Sequence, residues 1–172
     1  MAALATRARA TGQGGDSTGG RVRLSLTLNG QPQEVEINPR WTLADALREG
    51  ARLTSVHLGC EHGVCGACTV LLDGEPARAC LVLALQAEGH DVQTVEGWEN
   101  DRHPLQEAFR REHALQCGFC TPGFLMLAAG LLTAEPEASE ERITEVLSSN
   151  LCRCTGGLPI VRAVVSAQRT GR

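Results

Sequence analysis

The stretch Cys60-Glu61-His62-Gly63-Val64-Cys65-Gly66-Ala67-Cys68, with Cys80 beyond it, decides how the rest of the chain is read. Three thiols separated by four and then two residues, with glycines between them, make a loop that can fold back over one compact object. C-x4-C-x2-C with a remote fourth Cys is the spacing by which four thiolates hold a [2Fe–2S] cluster. Gly59, Gly63 and Gly66 let backbone N–H groups approach bridging sulfides, and such N–H···S contacts raise a reduction potential.

A second set of thiols lies downstream. Cys117-Gly118-Phe119-Cys120 is a C-x2-C pair directly before Thr121-Pro122, and Cys152-Arg153-Cys154 closes a later helix. Two pairs at facing helix ends suit a helical lobe that holds one cluster between its arms, with N–H groups at a helix start opposing its negative charge. Zinc also takes four thiolates, but it favours two C-x2-C pairs, and C-x4-C-x2-C suits it poorly. A redox C-x2-C of thioredoxin type needs a βαβ setting that residues 105–125 do not offer. Disulfides lose their support because residues 1–20 carry Arg7 and Arg9 without the apolar core of a secretory signal. All eight Cys fall into complete quartets, so iron–sulfur ligation ranks ahead of zinc, and zinc ahead of disulfides.

The composition narrows the function classes. A chain of 172 residues can bury a core, here read as two compact lobes. Its net charge of −4 and the lack of any Lys/Arg run exclude a nucleic-acid footprint. Aromatics are confined to Trp41, Trp98, Phe109, Phe119 and Phe124, too few for a base-stacking platform. No apolar run approaches the roughly 20 residues of a membrane span, so a soluble, cytoplasmic protein is expected.

Residues 1–20 read as a disordered N-terminal extension. Residues 21–97 read as a first lobe. Val22, Leu24, Leu26 and Leu28 alternate along a strand, Asn29-Gly30 turns it, and Val35 and Ile37 mark the returning strand. Thr42 and Asp45 form a short capping box for a helix ending at Gly50. Thr69–Leu72 is a strand turned by Asp73-Gly74, residues 79–82 continue the sheet or open a short helix, and Val92–Val95 supplies another strand. This is an α+β arrangement of β-grasp type. Residues 98–103 read as a linker and 104–168 as a helical lobe. Its helices are placed at Pro104 to His113, Thr121 to Leu132, Ser139 to Ser148 and Ile160 to Gln168, packed as a four-helix bundle with Pro136 and Glu137 in a turn.

Three segments carry a family resemblance: Gly59 to Val70, Gln116-Cys117-Gly118-Phe119-Cys120-Thr121-Pro122-Gly123, and Asn150-Leu151-Cys152-Arg153-Cys154-Thr155-Gly156. They resemble the signatures of the small iron–sulfur subunit of molybdenum hydroxylases, the xanthine dehydrogenase and carbon monoxide dehydrogenase family, over about residues 21–168. The resemblance implies a plant-ferredoxin-like N-terminal lobe and a four-helix C-terminal lobe, each with a [2Fe–2S] cluster. It implies that Cys60, Cys65, Cys68 and Cys80 hold the cluster nearer a flavin. Cys117, Cys120, Cys152 and Cys154 would hold the one nearer a molybdopterin, with pterin contacts at Gln116 and Cys154. The implied partners are a large molybdopterin-binding subunit and a medium FAD-binding subunit, in a complex free to dimerise, and no catalytic residue is expected on this chain. The chain departs from the family after Gly156, where Gly157-Leu158-Pro159 replace an aromatic and a polar residue. His57 reads as a solvated loop histidine, and His62 as pointing outward, since four thiols already satisfy the first cluster. The rival reading is a stand-alone ferredoxin-like carrier or a zinc-binding redox module.

Overall fold

The computed structural model describes residues 20–98 and 103–170. The expected N-terminal extension therefore lies outside the described residues except for Gly20, as does most of the expected linker.

The first half is built on a hairpin. β1 (Val22–Leu28) and β2 (Gln31–Ile37) pair antiparallel, with Leu24 opposite Val35. Asn29 and Gly30 join them at φ 51° and 77°, two left-handed residues whose twist matches the flanking strands. Leu24, Leu26, Leu28, Val35 and Ile37 are buried, so alternation along both strands reports one core-facing side. The Thr42 backbone N–H donates to Asp45 Oδ2 at 2.9 Å, and the Asp45 N–H to Thr42 Oγ1 at 3.2 Å, completing the expected capping box. The helix it starts is α-helical only at α1 (Leu43–Asp45) and widens to a π turn over Ala46–Gly50, where Ala51 N donates to Ala46 O. Gly50 presses on β2: a Cβ there would stand 2.3 Å from Val35 Cγ1.

β3 (Thr69–Leu72) turns through Asp73-Gly74 into β4 (Glu75–Arg78), and β5 (Asp91–Gln93) completes a sheet of order β2-β1-β5-β3-β4. The strand after the turn is thus Glu75–Arg78 and not residues 79–82. Its sequence, Glu-Pro-Ala-Arg, has no apolar alternation because it is an edge strand, where Pro76 needs no ladder partner for its missing N–H. Residues 79–83 instead lead into a 3₁₀ turn at Ala84–Ala87. β5 is shorter than Val92–Val95 because the chain coils into another 3₁₀ turn at Val95–Trp98.

The second half is helical: α2 (Pro104–Arg111), α3 (Thr121–Ala134), α4 (Glu140–Leu147) and α5 (Leu158–Thr170). Each lies within about a turn of its expected bounds, and Pro136-Glu137 falls between α3 and α4. Residues 123–131 of α3 are buried without exception, which makes it the central helix and explains its lack of a polar face. β3 is buried on both sides. Val70 joins Leu24, Leu43, Leu47 and Val92 in a first core, while Leu71 joins Leu105, Phe109, Phe124, Ile143 and Val164 in a second. Two glycines of α3, seven residues apart, allow this close approach. A Cβ at Gly123 would sit 2.3 Å from the Gly66 carbonyl, and one at Gly130 2.5 Å from Pro76 Cγ.

Candidate metal centres

The loop between the π turn and β3 carries Cys60, Cys65 and Cys68, and Cys80 follows β4. The Cys65 backbone N–H donates to Cys60 Sγ at 3.3 Å. That N–H, with the one of His62, draws the Cys60 thiol down to about 6. Cys68 and Cys80 are buried. Burial pushes Cys68 up to about 11, with Cys80 and Cys65 as its charged neighbours. Cys60 thus pairs with Cys65 and Cys68 with Cys80, and the loop offers a ready thiolate at its rim and buried thiols at its base.

The second quartet is built from helix ends. Cys120 is the N-cap of α3; its carbonyl accepts from the Phe124 N–H at 3.1 Å, and the Thr121 N–H turns back to the Gly118 carbonyl at 3.2 Å. Cys152 and Cys154 lie between α4 and α5. The Cys154 thiol donates to Cys117 Sγ at 3.5 Å. Burial, then the hydrogen bond with Cys152, raises Cys120 to about 12. Burial also acts to raise Cys152, but the Thr155 hydroxyl at 3.0 Å and the Thr155 N–H at 3.4 Å outweigh it and leave Cys152 below the usual thiol value. Cys117 and Cys154 are exposed. Gln116 is also exposed, and its Nε2 donates to the Cys154 carbonyl at 3.3 Å, tying the two arms together.

The donor set fits [2Fe–2S] clusters. Each quartet holds four thiols, one of them favoured as thiolate by N–H or O–H donors, and the backbone donors to sulfur are of the kind that tune cluster potentials. The thiols touch in pairs and short chains. Among the described residues no three His, Cys, Asp or Glu side chains form a group suited to a metal ion. Ligand uptake into thiols as high as Cys68 and Cys120 must release protons.

The structure brings the two quartets together through contacts that local reading missed. The Leu151 N–H donates to the Cys65 carbonyl at 2.9 Å, and Leu151 precedes Cys152. Asn150 Nδ2 donates to the Gly66 carbonyl at 3.2 Å. His57 is not a free loop side chain: its ring stacks on Phe119 at 4.8 Å between centroids, and its Nδ1 donates to the Phe119 carbonyl at 2.6 Å. The stack forms because Phe119, inside the C-x2-C pair, reaches across to Gly59, where a Cβ would meet its ring at 3.4 Å. His62 is exposed, with its Nδ1 on the Cys60 carbonyl.

Comparison with known proteins agrees with this geometry. Residues 26–100 match the family described as 2Fe-2S iron-sulfur cluster binding domain, and residues 94–165 the family described as [2Fe-2S] binding domain. The chain is 54% identical over 148 residues to the nicotine 6-hydroxylase small subunit of Paenarthrobacter nicotinovorans, covering 86% of this chain and 90% of that protein. It is 53% identical over 152 residues to the caffeine dehydrogenase subunit gamma of a Pseudomonas species, covering 86% and 91%. Among solved structures, quinoline 2-oxidoreductase from Pseudomonas putida 86 matches with a TM-score of 0.84 and 49% identity, over 88% of this chain and 96% of the matched chain. With two cluster-binding families meeting across its length and relatives this similar over nearly their whole extent, the chain belongs to the family of small iron–sulfur subunits of molybdenum hydroxylases.

Proposed function

We propose that this chain relays single electrons inside a heteromeric molybdenum-dependent dehydrogenase. Cys60, Cys65, Cys68 and Cys80 hold one [2Fe–2S] cluster, and Cys117, Cys120, Cys152 and Cys154 hold the other. When bound, each cluster takes up and gives back one electron. The observation that carries this reading is the bonded connection between the quartets. From Cys152 the chain passes to Leu151, whose N–H crosses 2.9 Å to the carbonyl of Cys65. A relay needs two stations joined by a short, rigid medium, and this link provides it without any catalytic acid, base or nucleophile.

In this reading residues 21–97 form a β-grasp ferredoxin-like lobe and residues 104–168 a four-helix bundle, with residues 98–103 as their linker. The contacts of α2, α3 and α4 with α5, and of α3 with α2 and α4, support the bundle. A large subunit carries molybdopterin and docks beside the second quartet, where the exposed Gln116 and Cys154 would contact the pterin. A medium subunit carries FAD and accepts the electrons beyond the first quartet. The words "small subunit" and "subunit gamma" in the names of the two relatives support an assembly of several chains. Among the described residues no helix is long and apolar enough to cross a membrane, and eight cysteines read as ligands and not as disulfides favour the cytoplasm.

The test is Cys117→Ala in the purified complex. It should abolish one of two EPR signals and stop reduction of flavin by substrate, while the other signal persists. Survival of both signals overturns the ligand assignment.

A further inference from the structure

Arg78 occupies an unusual place in the seam between the quartets. It ends β4, two residues before Cys80, and is half-buried. Its Nη1 donates to Thr69 Oγ1, next to Cys68. Its Nη2 donates to the Ser149 carbonyl at 2.9 Å and to Ser149 Oγ at 3.2 Å, three residues before Cys152. Thr69 is 3% exposed and passes the chain on by donating to the Gly66 carbonyl at 2.6 Å. That carbonyl also accepts from Asn150 Nδ2. One guanidinium thus grips the loop of each quartet, through a network that closes on the residue following Cys65.

The charge is as telling as the geometry. Among the described residues no carboxylate forms an ion pair with Arg78 or Arg48, whereas Arg23, Arg110 and Arg111 each have one and Arg142 has two. Among the described residues the hydrogen bonds of Arg78 end on neutral oxygens. Partial burial and neutral partners leave the charge of Arg78 free to act on anions in its vicinity. Its anchors adjoin Cys68 on one side and lie three residues from Cys152 on the other, so thiolate-bound clusters are the anions this position would face.

We propose that Arg78 is the counter-ion shared by the two clusters and the clamp that fixes their separation. This rests on the two-cluster reading above and deepens it. A cluster that gains an electron becomes more negative, so a nearby fixed cation favours the reduced state and raises the potential. Because the same fork spans both loops, it also holds the Leu151–Cys65 hydrogen bond in place. Arg78 is a positioning residue, and Lys cannot replace the two-armed grip although it keeps the charge.

The experiment is an EPR-monitored redox titration of the purified complex carrying Arg78→Gln or Arg78→Lys, with iron content measured in parallel. Arg78→Gln should shift both midpoint potentials to more negative values at unchanged iron content. Arg78→Lys should largely restore the potentials while altering the magnetic splitting between the two reduced clusters, which reports their separation. Unchanged potentials in Arg78→Gln with full iron overturn the proposal. If Arg78→Gln fails to retain iron, Thr69→Val, which keeps the charge but removes one anchor, should give a smaller negative shift, and no shift there overturns it equally. A wild-type complex without two iron–sulfur signals would instead refute the underlying relay reading.

Discussion

At the scale of single residues, Gly66 illustrates how a position can be constrained twice. It sits at φ 73°, and a Cβ there would stand 2.0 Å from Asn150 Oδ1 and 2.3 Å from Asn150 Cγ. Asn150 is 5% exposed, and among the described residues its Oδ1 has no hydrogen-bond partner, so packing and the Nδ2 bond to the Gly66 carbonyl hold the amide in place. Gly118 is a natural control, since it has φ 83° but nothing within 4 Å of its absent Cβ. Both Gly→Ala variants should lose about 1–3 kcal/mol from backbone strain. Gly66→Ala should lose more than Gly118→Ala, because it must also expel the Asn150 amide and its bond to the Gly66 carbonyl. Thermal unfolding of the two variants measures the difference, and equal losses would mean that the seam adds nothing. The glycine was legible as a loop residue, but its partner, 84 residues away, was not.

At the scale of elements, the start of α2 shows a cap that depends on pH. His103 Nδ1 accepts from the Leu105 N–H at 3.3 Å, Gln106 Oε1 accepts from the His103 N–H at 3.1 Å, and the imidazole stacks on Trp98 at 3.8 Å. Only the neutral ring can accept that bond, and burial holds His103 below its ordinary value. With the folded pKa lowered, this stabilisation is complete above about pH 6.5 and is lost as pH falls through the folded value. Trp98 fluorescence should therefore change on acidification in the wild type. In His103→Asn, where an amide caps at every pH, the change should vanish; an identical profile in both would remove His103 from the account. Pro104 at the first helical position was readable in advance, whereas the His103 cap was not, because histidine is an uncommon N-cap and acquires the role here by stacking on Trp98. The edge strand Glu75–Arg78 was hidden for a related reason, since an edge is recognised by what it lacks on one side.

At the scale of the whole molecule, the two quartets differ in shelter. Cys68 and Cys80, at the ends of β3 and β4, are buried, while Cys117 and Cys154 lie open. Separated from its partners, the chain should lose the second cluster first under an iron chelator, visible as the earlier decay of one EPR signal. The assembled complex should even out the two rates if a partner covers Gln116 and Cys154. Simultaneous loss from the isolated chain would mean that exposure does not control access.

The sequence by itself determined the spacing of the eight cysteines, the hairpin at Asn29-Gly30, the capping box at Thr42 and four helices within a turn of their bounds. These depend on neighbours a few residues apart, whose chemistry is complete in the local chain. Only the tertiary structure decided that β3 is shared by two cores, that His57 stacks on Phe119, that Leu151 bonds to Cys65, and that Arg78 reaches Ser149. Those contacts join residues 62 to 86 positions apart. They exist because α3, apolar on every side and notched by Gly123 and Gly130, can bury itself only by drawing one half of the chain against the other.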